Sequence, residues 1–66
     1  MDGIKLRQAI DDNGIKLKFI CEKLGLSRQG LYKKMNGRSE FTVSETKEIQ
    51  EILGLSNEER DAIFFV

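Results

Sequence analysis

Two short helical segments, separated by the tetrapeptide Leu24-Gly25-Leu26-Ser27, constrain the fold of this chain more than any other feature. Gly25 can adopt the left-handed conformation that ends a helix, and Ser27 can accept hydrogen bonds from the free amides that begin the next helix. The flanking Leu24 and Leu26 can anchor both helices to one core. The segment 16–36 is therefore predicted to form a helix-turn-helix, which makes DNA the first partner to consider.

Length and composition exclude several classes of function. The chain has 66 residues, which is near the lower limit for one hydrophobic core and leaves no room for an active-site cleft. It contains no His and a single Cys, so Cys21 cannot complete a metal site or a disulfide within one chain. We expect neither an enzyme nor a cofactor, a metal ion or a small-molecule ligand.

The location of the protein is also an expectation from sequence. No apolar run approaches the ~20 residues of a membrane span, and Met1-Asp2-Gly3 does not begin a signal peptide. We expect a cytoplasmic protein with no membrane partner.

Charge is distributed unevenly although the formal net charge is zero. Residues 1–39 contain nine basic and four acidic side chains, whereas residues 40–66 contain two basic and seven acidic ones. The first part therefore carries +5 and the second −5. Because the basic excess coincides with the predicted helix pair, we interpret it as a nucleic-acid face, with a solvated or partner-facing surface on the second part. Chance is the alternative explanation.

Apolar spacing predicts an all-α fold, a compact bundle of about five helices in a single domain covering residues 1–66. The first helix stops at 12–14, the second runs from about 16 to 24 and the third from about 28 to 36. Capping-box pairs, Thr42 with Glu45 and Ser56 with Glu59, open the fourth and fifth helices. The residues expected on the apolar stripes are Ile4, Leu6, Ala9, Ile10, Leu17, Ile20, Cys21, Leu24, Leu31, Met35, Val43, Ile49, Ile52, Leu53, Ala62, Ile63 and Phe64.

Leu-Gly-Leu-Ser occurs a second time at residues 53–56, so the tetrapeptide alone does not indicate DNA binding. The residues that follow separate the two copies. The first copy is followed by Arg28 and Gln29, whereas the second is followed by Asn57, Glu58 and Glu59. Because carboxylates at the start of a helix would be repelled by phosphate, only the first copy can open a recognition helix.

Three side chains of the third helix are predicted to contact bases. Arg28 offers a fork that matches guanine, Gln29 suits adenine, and Lys33 lies one turn beyond Gln29 on the same face. The predicted contacts to the DNA backbone are Lys16, Lys18, Ser27, Tyr32, Lys34 and Arg38. For Tyr32, partial burial against the bundle is an equal alternative.

Two further predictions concern Gly30 and the chain end. Gly30 allows either close approach to DNA or close packing against Cys21, and we favour the packing. Cys21 itself is expected to be a small buried apolar residue. The adjacent Phe64 and Phe65 cannot point the same way on a helix, so we expect one in the core and the other in a dimer interface; both being core is the alternative.

The chain resembles the phage Cro and repressor type of helix-turn-helix domain, the lambda-repressor-like family. The resemblance covers residues 4–65 and rests on Gly14-Ile15, Ile20-Cys21, Leu24-Gly25-Leu26-Ser27, Leu31 and Asn36-Gly37. It implies a Cro-like repressor in a bacterial or phage-infected cell that binds double-stranded operator DNA as a homodimer, and a loop at 37–42 that crosses the DNA backbone. Lys16 and Leu17 depart from the family's common Thr-Gln, so the usual cap of the second helix is lost.

Two classes of function follow. The first is a sequence-specific DNA-binding transcriptional regulator. The alternative is a protein-binding antirepressor or modulator on the same fold, which would dock on another regulator through its acidic second half or its Phe-Phe end. A continuous basic surface around the third helix favours DNA, whereas intrusion of Glu40 or Glu45 into that surface favours the alternative.

Overall fold

Five helices and no strand make up the computed structural model, which describes all residues from Met1 to Val66. The helices are α1 (Gly3–Asp12), α2 (Leu17–Leu24), α3 (Arg28–Met35), α4 (Val43–Leu53) and α5 (Asn57–Phe64). The all-α bundle predicted from apolar spacing is confirmed, and each predicted helix is present. None of the five helices has the length and apolar character needed to cross a membrane.

Each helix contributes two buried apolar residues to one core. They are Leu6 and Ile10, Ile20 and Cys21, Leu31 and Met35, Ile49 and Leu53, and Ile63 and Phe64. Full burial of an aliphatic side chain of this size stabilises a fold by about 1.5–3 kcal/mol. The core therefore holds all five helices together, and the prediction that Cys21 is a buried apolar residue is confirmed.

Two residues expected on the apolar stripes are exposed instead. Ile4 is 82% exposed and Val43 is 67% exposed. A helix turns by about 100° per residue, so Ile4 lies about 200° around α1 from the buried Leu6. Val43 is the first residue of α4 and lies about 120° around the helix from the buried Ile49.

The α2–α3 turn has the geometry expected from its residues. Gly25 has a φ of 67°, the left-handed conformation that an L side chain rarely adopts. The Leu26 N–H donates to the Cys21 carbonyl oxygen at 2.9 Å, and the Ser27 Oγ accepts from the Gly30 N–H at 3.0 Å. The turn therefore closes α2 and opens α3 within three residues.

The start of α1 is held between α3 and α5. The Asp2 N–H donates to the Ile63 carbonyl oxygen at 2.7 Å. Gly3 lies so close to α3 that a Cβ at this position would clash with the Met35 carbonyl oxygen. α3 is thus supported by α1 at its end and by α2 along its inner face, and its opposite face is left open.

Candidate nucleic-acid interface

The outer face of α3 is a polar and basic stripe. Arg28, Gln29, Tyr32 and Lys33 are exposed, whereas Leu31 and Met35 face the core. This division follows from the helical period, because the four exposed residues fall within about 140° of one another around the helix axis. Neither Arg28 nor Lys33 forms an ion pair with any other residue. The structure therefore brings the three predicted base contacts together on one accessible surface. We call Arg28, Gln29, Tyr32 and Lys33 the α3 stripe.

The start of α3 includes a backbone N–H group that has no acceptor within the chain. The Ser27 side chain caps the helix, but the Ser27 N–H donates to no other group in the chain. Position 30, three residues later, is glycine and has no side chain that could accept this hydrogen bond. A negatively charged group from outside could do so, which fits the predicted contact of Ser27 with the DNA backbone.

The start of α2 adds basic side chains beside this turn. Lys16 and Lys18 are exposed and unpaired, and Lys16 provides no side-chain cap, as its departure from the family pattern predicts. Phe19 is also exposed, with the Lys23 Nζ 5.6 Å from its ring centre. Sequence reasoning missed Phe19, although its place outside the stripe of Ile20 and Leu24 could have indicated its exposure.

Lys34 does not face outward as predicted for a phosphate contact. Its side chain is only 14% exposed, and its Nζ lies 2.8 Å from the Glu45 Oε1. The same Nζ donates to the Glu40 carbonyl oxygen at 3.0 Å. The reason is the position of Lys34 around α3, roughly opposite the α3 stripe and on the side that meets the start of α4. Contrary to the expectation of a free basic side chain, Lys34 is therefore paired within the fold and largely covered.

Glu45 belongs to the cluster that Lys34 forms with Glu45 and the Glu40 carbonyl group, and not to the α3 stripe. Burial alone would raise the pKa of Glu45, but hydrogen bonds from Lys34 and from the Thr42 N–H, together with the charge of Lys34, hold that pKa below its usual value. The carboxylate is therefore ionised and paired. The intrusion of Glu45 that would favour a protein partner is absent, and the carboxylate lies on the α4 side of α3.

Arg38 extends the basic surface beyond the end of α3. Gly37 has a φ of 79°, and the next N–H, that of Arg38, donates to the Lys33 carbonyl oxygen at 2.9 Å. The Arg38 side chain is exposed and forms no ion pair. Of the nine basic residues before position 40, only Arg7 and Lys34 are ion-paired.

Gly30 does not pack against Cys21. The atoms nearest to a Cβ at position 30 would be the Ser27 Oγ at 3.3 Å and the Leu26 side chain at 4.0 Å. The favoured explanation for Gly30 is therefore wrong, because the glycine adjoins the turn itself and not the middle of α2.

The two adjacent phenylalanines near the chain end differ in burial. Phe64 is buried, with its ring edge-on to that of Phe41 at a centroid distance of 5.5 Å. Phe65 is 62% exposed, next to the exposed Val66. The expectation that one of the two joins the core is confirmed, and Phe64 is removed from the predicted dimer interface because it is already covered. Phe65 remains exposed and can still take part in the predicted dimer interface.

A shallow groove of about 830 Å³ runs beside the α3 stripe, between α1 and α3. Its lining includes Ile4, Arg7 and Gln8 of α1 and Tyr32 of α3, with Asn36 just beyond the end of α3. Arg7 is paired with Asp11 of its own helix at 3.5 Å. No group of three His, Cys, Asp or Glu side chains could hold a metal ion.

No protein family, no curated protein and no solved structure matches this chain. The resemblance to phage regulators therefore remains a prediction from the residues.

Proposed function

We propose that this protein is a sequence-specific DNA-binding transcriptional regulator that places α3 in the major groove of operator DNA. The observation that carries the proposal is the α3 stripe, in which Arg28, Gln29 and Lys33 are exposed together and have no ion-pair partner within the chain. A helix exposed in this way can enter a groove that is about 12 Å wide.

Each residue has a distinct role in this proposal. Arg28 would donate two hydrogen bonds to guanine, Gln29 would pair with adenine, and Lys33 would reach the next base or phosphate. The remaining contacts, which position the protein on the duplex, are Lys16, Lys18, Ser27, Tyr32 and Arg38. Specificity would therefore come from α3 and affinity from its surroundings.

We propose further that the protein acts as a homodimeric repressor. Phe65 and Val66 are exposed apolar residues at the chain end, and the neighbouring Met1 is 40% exposed. A second copy that covers this patch would present two α3 helices to DNA, and sites one helical turn apart are separated by roughly 34 Å. Sedimentation equilibrium measures the association directly.

The experiment that tests DNA binding is a titration of mixed-sequence duplex DNA at several salt concentrations. The wild type should bind, and its affinity should fall with salt with a slope of about −0.9 per phosphate contacted in a log–log plot. A Gln29→Ala/Lys33→Ala variant should bind more weakly. Lys47→Ala, which removes one exposed positive charge from α4, is the control and should bind like the wild type.

Base recognition is tested separately with Arg28→Ala on an operator selected by the wild type. We expect specific binding to weaken by about 1–3 kcal/mol while the free energy of unfolding stays nearly unchanged, because Arg28 contacts DNA and not the core. Unchanged affinity would refute the assigned contact.

A second candidate function is supported by the acidic surface and the chain end. α5 begins with Asn57, Glu58 and Glu59, and the apolar patch at Phe65 lies at the end of the same helix. A module that docks on another regulator could use this surface. Failure of the wild type to bind duplex DNA at low salt would favour this candidate.

A further inference from the structure

Lys34 joins three parts of the molecule that are separate in sequence. Its Nζ lies 2.8 Å from the Glu45 Oε1 on α4 and 3.0 Å from the Glu40 carbonyl oxygen in the α3–α4 loop. It also lies 5.8 Å from the centre of the Phe41 ring, which packs edge-on against Phe64 of the core. The lysine therefore ties the last turn of α3 to the loop and to the start of α4.

The loop between α3 and α4 is held at both ends. At its beginning, the Arg38 N–H donates to the Lys33 carbonyl oxygen. At its end, the Thr42 N–H donates to the Glu45 Oε1 at 2.8 Å, the oxygen that also receives Lys34. Residues 39–41 lie between these attachments, so the course of the loop that follows Arg38 depends on both.

We propose that Lys34 is a positioning residue that, paired with Glu45, fixes the α3–α4 loop so that Arg38 is presented to a DNA phosphate beside the α3 stripe. The inference rests on the proposed function and deepens it, because it assigns the DNA contact to Arg38 and the support to Lys34. Two of the three Nζ donors of Lys34 are already used, and its side chain is only 14% exposed, so it is poorly placed to bind a phosphate as well.

Substitution of Glu45 separates positioning from simple charge. Removal of a carboxylate near bound DNA strengthens binding when only charge acts. Positioning predicts the opposite, because Lys34 loses its ion pair and keeps only a neutral hydrogen bond to the amide oxygen, so one attachment of the loop is weakened. Glu45→Gln is suitable since an amide oxygen can still accept from Thr42 and cap α4. Glu48→Gln, at an exposed and unpaired position of the same helix, is the matched control.

In the duplex titration, Glu45→Gln should bind about tenfold more weakly than the wild type, the effect of losing one charge-assisted hydrogen bond. Glu48→Gln should bind equally or more tightly. In an Arg38→Gln background, Glu45→Gln should cause little further loss, because the contact that it supports is already absent. Binding by Glu45→Gln as tight as by Glu48→Gln, or additive losses with Arg38→Gln, would overturn the proposal.

A measurement without DNA keeps this inference distinct from the proposed function. Amide relaxation by nuclear magnetic resonance should show an ordered segment 38–40 in the wild type and larger motion in Glu45→Gln and in Lys34→Met, while circular dichroism confirms that both variants fold. Equal order in all three proteins overturns the role of Lys34. An ordered loop in a wild type that does not bind DNA overturns the proposed function and, with it, the role of Arg38.

Discussion

The two Leu-Gly-Leu-Ser junctions have the same backbone geometry and opposite surface chemistry. Gly25 and Gly54 have φ values of 67° and 64°. Ser27 and Ser56 each accept a hydrogen bond from the amide three residues later, at 3.0 and 3.1 Å. The tetrapeptide thus sets how one helix ends and the next begins, and it does so equally well in both places.

The difference lies three residues beyond each serine. The Glu59 carboxylate accepts from the Ser56 N–H at 2.9 Å, whereas Gly30 provides no acceptor for the Ser27 N–H. The start of α5 is therefore closed by its own carboxylate, and the start of α3 is open to an external anion. The residue at this position, more than the turn, decides whether such a junction can meet phosphate.

Gly30→Glu would convert the first junction into the second and has the largest expected effect. The new carboxylate can accept from the Ser27 N–H, and α3 also loses a glycine that costs ~1 kcal/mol relative to alanine. We expect a higher melting temperature. Affinity for DNA should fall by on the order of several kcal/mol, because like charges would face each other at the interface. Thermal melting and the duplex titration measure the two effects.

Gly30→Gln separates charge from shape in this experiment. Glutamine can close the same capping box without a charge and has a similar helix propensity. It should stabilise α3 as glutamate does and weaken DNA binding much less. If both variants lost DNA binding equally, the cause would be bulk at position 30, 3.3 Å from the Ser27 Oγ, and the electrostatic comparison would fail.

Removal of the two capping hydroxyls should have equal effects on stability and unequal effects on binding. Ser27→Ala and Ser56→Ala each delete one side-chain acceptor at a helix start, which costs about 1 kcal/mol of the free energy of unfolding. Ser27→Ala should also weaken DNA binding, because it loosens the first turn of the α3 stripe. Urea denaturation and the duplex titration test this, and equal binding losses in the two variants would contradict the assignment of only one junction to DNA.

Local patterns predicted most of the fold. The caps at Thr42 and Ser56 depend on residues three positions apart, and the core pair Leu31 and Met35 on residues four apart, so both can be read from sequence spacing. The exposure of Arg28 follows in the same way from its place around α3. The α3 stripe was therefore predictable without any knowledge of tertiary contacts.

Contacts between distant residues were not predictable in this way. Lys34 and Glu45 are eleven positions apart and meet only because the loop turns α4 back onto the end of α3. The close approach of Gly3 to Met35 likewise depends on how α1 crosses α3. Lys34 looked like a free basic residue in sequence because its partner lies on another helix.

The smallest expected effect is the pH dependence of the second junction. Hydrogen bonds from the backbone and side chain of Ser56 hold the pKa of Glu59 below its usual value. Their contribution to stability is therefore present above the pKa of the unfolded chain and is lost as the pH falls through the pKa of the folded chain. Glu59→Gln removes this contribution, so the difference in melting temperature between the wild type and the variant should shrink on acidification. Glu58→Gln, which removes an exposed carboxylate and leaves the capping box intact, is the control variant. If the two junctions are equivalent in geometry, Gly30→Glu should introduce the same acid-sensitive contribution to stability at the α2–α3 junction. Absence of that contribution would mean that the two backbones differ more than their matched glycine and serine conformations indicate.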